Sequence, residues 1–222
     1  MIVTAIIVAA GKGTRLGSKA PKAFVKLNKL PLVEYSLRAY QRSPHVTAIV
    51  LVIPAGYTAN LTPLFAKYPK LRAIVPGGKE REASVRNGLA ACSHDSDIAL
   101  IHDAARPLIM TRDIESVIAA TNKYGAAILA APVTDTIKLA RDRTVSKTVD
   151  RAGLWKAQTP QGFARSVLLK AYAGKRAKPA TDDSMLAEMA GVRVRIVPAS
   201  SINIKVTTPH DLEIASWLLK QR

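Results

Sequence analysis

Short apolar runs recur along this chain, and segments with helical spacing separate them. The runs are rich in Val, Ile and Ala, and strands are predicted over residues 4–9, 48–53, 71–75, 98–101 and 126–131. Helices are predicted between them over residues 33–40, 82–92 and 112–124. Runs that are apolar throughout suit strands buried on both faces, and helices between such strands make the crossovers of a parallel sheet. The sequence therefore predicts a three-layer α/β/α domain around a mostly parallel, Rossmann-like sheet.

Residues 136–149 break this pattern, because they are polar and basic. They are interpreted as two strands around a turn at Asp142 and Arg143. A hairpin of this composition cannot bury itself in the main core, and an isolated hairpin is marginally stable in water. Residues of about 134–155 are therefore predicted to form a projecting arm, either a surface hairpin or an element that meets a second subunit.

The remainder of the chain returns to alternating elements. A helix is predicted over residues 168–173, and strands over residues 192–198 and 202–206. The sequence TDDS at residues 181–184 is interpreted as the start of a helix that ends near Gly191, with acidic side chains close to the positive end of the helix dipole. A last helix begins with Thr208 as its cap and Pro209 at its first position.

Composition narrows the class of protein. The 222 residues suffice for one domain over residues 1–222, and no internal repeat or low-complexity linker divides them. No apolar run approaches the ~20 residues of a membrane span, and no signal peptide is recognised, so a cytoplasmic protein is expected. The single cysteine, Cys92, is predicted as a core residue and excludes an internal disulfide.

The formal charge of +17 favours anionic partners. Nucleic acid is one such partner, and small phosphorylated substrates are another. Aromatic residues make up only 5% of the chain, which is poor for stacking bases, and no nucleic-acid-binding signature is found. Nucleic-acid binding is therefore the less favoured of the two.

A glycine-rich turn follows the first predicted strand and is the strongest local signal for chemistry. Gly11 and Gly13 allow backbone N–H groups to approach phosphate oxygens, and Arg15 and Lys22 add positive charge nearby. The turn lacks the Gly-Lys-Ser/Thr ending of a Walker loop, and the spacing of Gly11, Gly13 and Gly17 does not match a dinucleotide fingerprint. The sequence predicts a phosphate-binding loop of another kind.

An ordered set of motifs further narrows the range of protein families that the chain resembles. The loop AAGKGTRLG at residues 9–17 and PKAF at 21–24 resemble the nucleotide-binding signature of nucleotidyltransferases that activate sugars and sugar alcohols. Six further motifs follow in order: GGKEREASV at 77–85, HDAARP at 102–107, TVDR at 148–151, LWKAQTPQ at 154–161, TDD at 181–183 and NIKVT at 203–207. Together they resemble the 2-C-methyl-D-erythritol 4-phosphate cytidylyltransferase family over nearly the whole chain.

This resemblance implies a nucleotidyltransferase-type fold and the transfer of CMP from CTP to 2-C-methyl-D-erythritol 4-phosphate, with release of pyrophosphate. It also implies Mg²⁺ or another divalent cation, and a homodimer in which the arm completes the partner's site. A related family, the ribitol-5-phosphate cytidylyltransferases, is kept as an alternative, although the intact HDAARP motif favours the first family. A basic nucleic-acid-binding protein on a similar scaffold is the alternative from another class.

The resemblance also assigns roles to residues. The residues that it implies for catalysis are Arg15, Lys22, Arg151 and Lys205. Those implied for CTP binding are Ala9, Ala10, Gly11, Gly13, Arg15, Lys22, Gly78 and Ser84. Those implied for the sugar-alcohol phosphate are Asp103, Arg106, Thr136, Arg151, Thr159 and Lys205, and Asp103 is also implied as the metal ligand. The chain departs from the family at Lys79, where an acidic residue is common, which bears on cytosine selectivity.

The implied reaction explains why cations are needed more than a general base. A phosphate monoester has a second pKa of ~6, so the attacking phosphate is already mostly a dianion at neutral pH. The barrier is the approach of two anions, which Lys, Arg and a divalent cation lower. His102 is therefore not expected to act as a base.

Overall fold

A computed structural model describes residues 1–11, 13, 16–17, 20–57, 60–174, 180–199 and 202–221. Its strands are β1 (Val3–Val8), β2 (Lys26–Leu27), β3 (Leu30–Pro31), β4 (Ala48–Ile53), β5 (Leu71–Pro76), β6 (Ile98–Asp103), β7 (Ala126–Pro132), β8 (Ile137–Arg141), β9 (Thr144–Val149), β10 (Trp155–Ala164) and β11 (Arg195–Pro198). Its helices are α1 (Leu32–Arg42), α2 (Pro63–Lys67), α3 (Arg81–Ala90), α4 (Thr111–Tyr124), α5 (Arg165–Ala173), α6 (Asp183–Met189) and α7 (Pro209–Lys220). Across these ranges no helix has the length and apolar character needed to cross a membrane.

The main sheet has seven strands in the order β11-β7-β10-β6-β1-β4-β5. Strands β5, β4, β1 and β6 run parallel to one another, as do β7 and β11. Strand β10 runs antiparallel between β6 and β7. The prediction of a mostly parallel sheet is confirmed, and the carboxyl ends of β1, β5 and β6 therefore meet at one edge.

Both faces of the sheet are buried, as the uninterrupted apolar runs predicted. In β1, Ile7 packs into the core on the side of α1 and α4, whereas its neighbour Ile6 packs on the side of α3, α5 and α6. The same alternation occurs in β4, where Leu51 and Val52 enter opposite cores. This period of two places helices on both sides of the sheet and gives the predicted three layers.

The predicted arm is present as the hairpin of β8 and β9. Asp142 and Arg143 have positive φ angles of 48° and 62°, as a two-residue turn between twisted strands requires. Almost every residue of the two strands is exposed, including Leu139 and Val145. The chain therefore exposes two apolar side chains on a largely polar hairpin that its own core does not cover.

The predicted start of the last helix is confirmed. Thr208 accepts a hydrogen bond from the backbone N–H of Asp211, and the Asp211 carboxylate accepts one from the backbone N–H of Thr208. This reciprocal capping box fixes the first turn of α7, with Pro209 inside it. Burial raises the pKa of Asp211, but the hydrogen bonds from Thr207 and Thr208 outweigh it and lower that pKa to about 2.

Two strand predictions need correction. The strand predicted over residues 202–206 is wrong, because the described part of this segment joins no sheet. Its polar groups bond to loops instead: the Val206 N–H donates to the Ala105 carbonyl at 2.8 Å, and the Asn203 side chain donates to the Thr159 carbonyl at 2.9 Å. The strand predicted over residues 192–198 is shorter, beginning at Arg195.

Strand β10 was not predicted at all. Its sequence, WKAQTPQGFA, is polar at first and contains Pro160, and a proline argues against a central strand. The register of β10 against β7 shifts between Ala157 and Gln161, so the proline falls where the ladder is already interrupted. The strand then continues through a buried half that ends in Phe163.

A glycine on α3 sets how closely this helix approaches the sheet. A Cβ at Gly88 would lie 2.5 Å from Ile6 Cγ2 and 2.9 Å from Val52 Cγ2. We expect Gly88→Ala to destabilise the protein by about 1–2 kcal/mol, because overpacking outweighs the ~1 kcal/mol gain in helix propensity. Urea denaturation measures this change. The control is Gly174→Ala, where φ is −65° and the nearest atom is 3.8 Å away, and equal effects at the two glycines would contradict the prediction.

Candidate active site

A cavity of about 700 Å³ opens at the carboxyl edge of β1, β5 and β6. Ligands of open α/β sheets bind at this edge, because the loops that follow the strands converge there. The lining residues come from the end of β1 and the loop after it, the loops after β4 and β5, the start of α3, the end of β6 with the residues that follow it, and the segment before α7. They are Val8, Ala9, Ala10, Gly11, Gly13, Lys22, Ala23, Pro54, Ala55, Gly77, Gly78, Lys79, Glu80, Arg81, Ser84, Asp103, Ala105, Lys205 and Thr207.

The glycine-rich loop after β1 folds back so that Lys22 reaches the cavity. The Lys22 N–H donates to the Gly11 carbonyl at 3.3 Å, which closes the loop. Gly13 has a φ of 70°, and a Cβ there would lie 2.5 Å from the Lys22 Cβ. Only glycine permits both this backbone conformation and this close approach. The loop thus brings Lys22 and a stretch of backbone to one wall, as predicted.

The loop after β5 forms the opposite wall. A Cβ at Gly77 would lie 2.4 Å from the Ala10 Cβ, so glycine lets the two loops touch. Ser84 is buried, accepts a hydrogen bond from the Gly78 N–H at 3.1 Å and donates one to the Glu80 carbonyl at 3.1 Å. The serine therefore holds the turn of this loop in place at the start of α3.

Asp103 lies at the end of β6, between two cationic side chains. Its Oδ2 is 2.6 Å from Lys205 Nζ, and its Oδ1 is 3.2 Å from Arg81 Nε. Burial raises the pKa of this carboxyl, but the positive charges of Arg81, Lys205 and Arg106 outweigh burial and hold the pKa well below its usual range. Asp103 is thus a carboxylate at neutral pH, largely buried in the wall of the cavity.

Arg81 also reaches a second carboxylate, behind the cavity. Its Nη1 is 2.7 Å from Asp183 Oδ2, and Asp183 accepts a hydrogen bond from Tyr172 Oη at 2.5 Å. Burial raises the pKa of Asp183, and the opposing effects of Arg81 and Tyr172 leave that pKa above its usual value. Burial lowers the pKa of the Arg81 guanidinium, whereas Asp183 and Asp103 raise it by more, so the guanidinium stays charged. The two carboxylates thus share one buried cation.

Gln161 of β10 fixes the start of the helix that carries Asp183. Its Oε1 accepts hydrogen bonds from the backbone N–H groups of Asp183 at 3.1 Å and Ser184 at 3.0 Å. Its Nε2 donates to Asp182 at 2.8 Å, and Asp182 caps the helix by accepting from the Met185 N–H. The interpretation of residues 181–184 as a helix start is confirmed.

His102 lies beneath the cavity and does not line it. The residue is fully buried, and its ring nitrogens lie 3.2 Å from Ser36 Oγ and 3.1 Å from Thr159 Oγ1. Burial lowers the pKa of His102 to about 3, so the imidazole is neutral at physiological pH. The expectation that His102 does not act as a base stays a prediction.

The structure brings together many of the residues singled out from the sequence. Those that line the cavity are Ala9, Ala10, Gly11, Gly13, Lys22, Gly78, Ser84, Asp103 and Lys205. Arg15 lies outside the described residues. The prediction that Cys92 is a core residue is confirmed, since it is buried, and burial raises the pKa of its thiol to about 11.

Four predicted substrate residues do not line the cavity of this single chain. Arg106 donates hydrogen bonds to the backbone carbonyls of Asn203 and Ala157. Thr159 is buried, with its hydroxyl bonded to the Asp103 N–H. Thr136 and Arg151 are exposed at the base of the arm, where Arg151 donates to the Thr134 carbonyl. Their roles toward substrate remain predictions.

Sequence reasoning did not find the network behind Asp103. Arg81, Asp183, Tyr172 and Gln161 were given no role at the site, although three of them lie within the quoted motifs. The available signal was an arginine in GGKEREASV together with the acidic pair Asp182 and Asp183, since a buried helix start rich in carboxylates needs a cation.

Known proteins resemble this chain over its whole length. The family model described as IspD: 2-C-methyl-D-erythritol 4-phosphate cytidylyltransferase matches residues 3–221. A protein of that name from Pelotomaculum thermopropionicum is 43% identical over 226 residues, covering 99% of this chain and 95% of its own. One from Bacillus cereus is 41% identical over 224 residues, covering 97% of each chain.

Solved structures of similar proteins superpose closely on this chain. The 4-diphosphocytidyl-2C-methyl-D-erythritol synthase of Anaerococcus prevotii superposes with a TM-score of 0.85 at 30% identity, covering 100% of this chain and 99% of its own. The 2-C-methyl-D-erythritol 4-phosphate cytidylyltransferase of Thermus thermophilus gives a TM-score of 0.83 at 29% identity, covering 99% of this chain and 100% of its own.

Burial of neutral His102 makes stability depend on pH. In the unfolded chain the imidazole takes up a proton near its ordinary pKa of 6.5, but in the folded chain only near 3. The unfolded state therefore binds more protons between these values, and the free energy of unfolding falls as pH falls through that window. From pH 7 to 4 we expect His102 to account for a loss of roughly 2–3 kcal/mol.

Urea denaturation of the wild type and of His102→Gln between pH 7 and 4 isolates this contribution, because other titrating groups act in both proteins. We expect the wild type to lose stability more steeply than the variant as pH falls. Parallel curves would show that His102 does not titrate differently in the two states.

Proposed function

The chain belongs to the 2-C-methyl-D-erythritol 4-phosphate cytidylyltransferase family, and we propose that its reaction takes place in the cavity at the carboxyl edge of the sheet. It is a nucleotidyltransferase that transfers CMP from CTP to 2-C-methyl-D-erythritol 4-phosphate in the isoprenoid pathway. The observation that supports this site is the meeting of a glycine-rich loop, Lys22, Asp103 and Lys205 around one cavity. No finding favours the ribitol 5-phosphate or nucleic-acid alternative.

The chemistry explains this combination of residues. An oxygen of the substrate phosphate attacks the α-phosphorus of CTP, the bond from that phosphorus to the bridging oxygen breaks, and pyrophosphate leaves in line. The attacking group is already an anion, so no proton needs to be removed from it. The chain must instead hold two highly charged anions together. We also propose a cytoplasmic location, where both metabolites are available.

We assign Lys22 to the triphosphate. Its position depends on the close approach at Gly13, which holds its Cα and Cβ against the loop that presents backbone to the phosphates. A lysine fixed in this way offers its charge where negative charge accumulates in the transition state, without first having to reorganise. Arg15, from the same loop, is proposed to act beside it.

The other end of CTP is assigned to the wall formed by Ala9, Ala10 and Gly78. The Ser84 hydroxyl is bonded within its own turn, so backbone groups are the polar groups left to meet the base and ribose. Lys79 is exposed on the rim of this wall, and the acidic residue common in the family is replaced here. We propose that the backbone, and not this side chain, selects cytosine.

Asp103 is the residue that fits a divalent cation. It is ionised and lines the cavity, and among the described residues there is no cluster of three or more His, Cys, Asp or Glu side chains that would hold a metal by protein ligands alone. Mg²⁺ is commonly bound by one or two carboxylates together with substrate phosphates, so this single carboxylate suits a cation that arrives with CTP. When bound there, the cation would neutralise charge on the phosphates.

We further propose a homodimer in which the arm completes the partner's site. Thr136 and Arg151 lie outside the cavity of their own chain, at the base of a hairpin that exposes Leu139 and Val145. These two exposed apolar side chains would gain stability if another surface covered them. In such a dimer Thr136 and Arg151 would hold the sugar-alcohol phosphate in the partner's cavity, opposite Lys205.

Loss of the Lys22 charge tests the assigned site. We expect Lys22→Met to lower kcat at least ~100-fold with an unchanged fold, because a preorganised charge at the phosphates is lost. Pyrophosphate release from CTP and Mg²⁺ measures the rate, with methylerythritol phosphate and ribitol 5-phosphate offered in parallel. The control is Lys26→Met, which changes an exposed lysine on β2. Near-normal turnover by Lys22→Met would contradict the assignment of Lys22 to the triphosphate.

Mixing two inactive variants tests the shared site. Lys22→Ala disables the cavity and Arg151→Ala disables the arm, so a mixed dimer contains one cavity with both intact residues. Random exchange between subunits should restore about a quarter of wild-type activity. A chain that carries both substitutions is the control, and a mixture no more active than its two components would contradict sharing.

A further inference from the structure

The two cations that flank Asp103 differ in how firmly they are held. Arg81 and Lys205 contact different oxygens of the same carboxylate, at 3.2 Å and 2.6 Å. Both oxygens of the Asp103 carboxylate are therefore already paired with positive charge. A divalent cation that approaches Asp103 in this arrangement meets no net negative charge.

Arg81 is the fixed partner. Its guanidinium is also bonded to Asp183, whose side chain is only 1% exposed and is held in turn by Tyr172. Gln161 anchors the backbone of the same helix start. Moving Arg81 away from Asp103 would either leave the buried Asp183 carboxyl without its cationic partner or require helix α6 to move, and both are costly.

Lys205 is the releasable partner. Its side chain is 42% exposed, and its contact in the described structure is the ion pair with Asp103. It projects from a segment that belongs to no sheet and is fastened on either side by Val206 and Asn203. Rotation of its flexible side chain toward the solvent therefore costs little and disturbs no other described bond.

We propose that the Lys205 ammonium occupies the cation position on Asp103 while the cavity is empty, and gives it up when a divalent cation enters with CTP. Arg81 meanwhile keeps the carboxylate in place. The released ammonium is then available to the incoming substrate phosphate, so that cation entry and phosphate binding are coupled through one lysine. This inference rests on the proposed function, in that Asp103 is taken as the metal ligand.

Cation binding to Asp103 can be measured without turnover. Without nucleotide, the ammonium and a divalent cation compete for Asp103, so the free protein should bind the cation weakly. We expect Lys205→Met, which keeps the apolar stem and removes the charge, to tighten Mn²⁺ binding to the nucleotide-free protein about tenfold or more, because the competing charge has gone. Electron paramagnetic resonance of free Mn²⁺ in a titration measures the affinity.

Two further variants make the measurement specific. Lys79→Met removes a positive charge from the same cavity without touching Asp103, so it should leave Mn²⁺ affinity nearly unchanged. Adding Asp103→Asn to Lys205→Met should abolish the gain, because the released carboxylate has been removed. Thermal unfolding of each variant checks that the fold is retained.

The possible outcomes distinguish a failure of the Lys205 exchange from a failure of the proposed function. Unchanged Mn²⁺ affinity in Lys205→Met, an equal gain in Lys79→Met, or a gain that survives Asp103→Asn would each overturn the exchange on Asp103. Each of these results leaves the proposed function standing, provided the wild type releases pyrophosphate from CTP with methylerythritol phosphate. Failure of that turnover would instead overturn the proposed function itself.

Discussion

The site depends on one buried guanidinium that two carboxylates share. Arg81 stands at the first position of α3, Asp103 at the end of β6 and Asp183 at the start of α6, so this single side chain ties three elements together at the carboxyl edge of the sheet. Neither carboxylate would be tolerated there as an unpaired charge. The arrangement keeps Asp103 ionised although its side chain is largely buried, and it holds that carboxylate in place. Both properties suit the metal-binding role proposed for Asp103.

Much of the fold follows from local sequence. Strands such as β4 were predicted with their observed bounds, because burial on both faces leaves an uninterrupted apolar run. The turn at Asp142 and Arg143 was predicted because two polar residues interrupt two strand patterns there. Strand β10 could not be found this way, since half of it is exposed and Pro160 interrupts it. The error at residues 202–206 has the opposite cause. That segment is apolar enough for a strand, but its polar backbone groups are satisfied by the loops at Ala105 and Arg106.

The candidate site likewise has one part that the local sequence predicts and another that it does not. Its loops can be predicted from the local sequence. Glycines mark the close contacts, and Lys22, Gly78 and Ser84 lie within the short motifs quoted from the sequence. The charge network is not encoded locally, because Arg81, Asp103 and Asp183 lie on different elements and meet only through the order of the strands. An isolated acidic pair before a helix is explained equally well by capping, and Asp182 does cap α6. Only the fold distinguishes that residue from its neighbour Asp183, which points to the guanidinium.

The pairing of charge at Asp103 contrasts with the excess of positive charge over the chain as a whole. The formal charge of +17 creates a field that draws anions toward the protein. At Asp103 itself, however, both oxygens of the carboxylate are already paired, one with Arg81 and the other with Lys205. Positive charge that contacts the substrates equally in the ground state and in the transition state gains nothing for kcat. In the exchange proposed for Asp103, the charge of Lys205 would avoid this, because the ammonium becomes available only after a divalent cation has taken its place. The proposed exchange would thus supply this charge at the step that brings the two anions together.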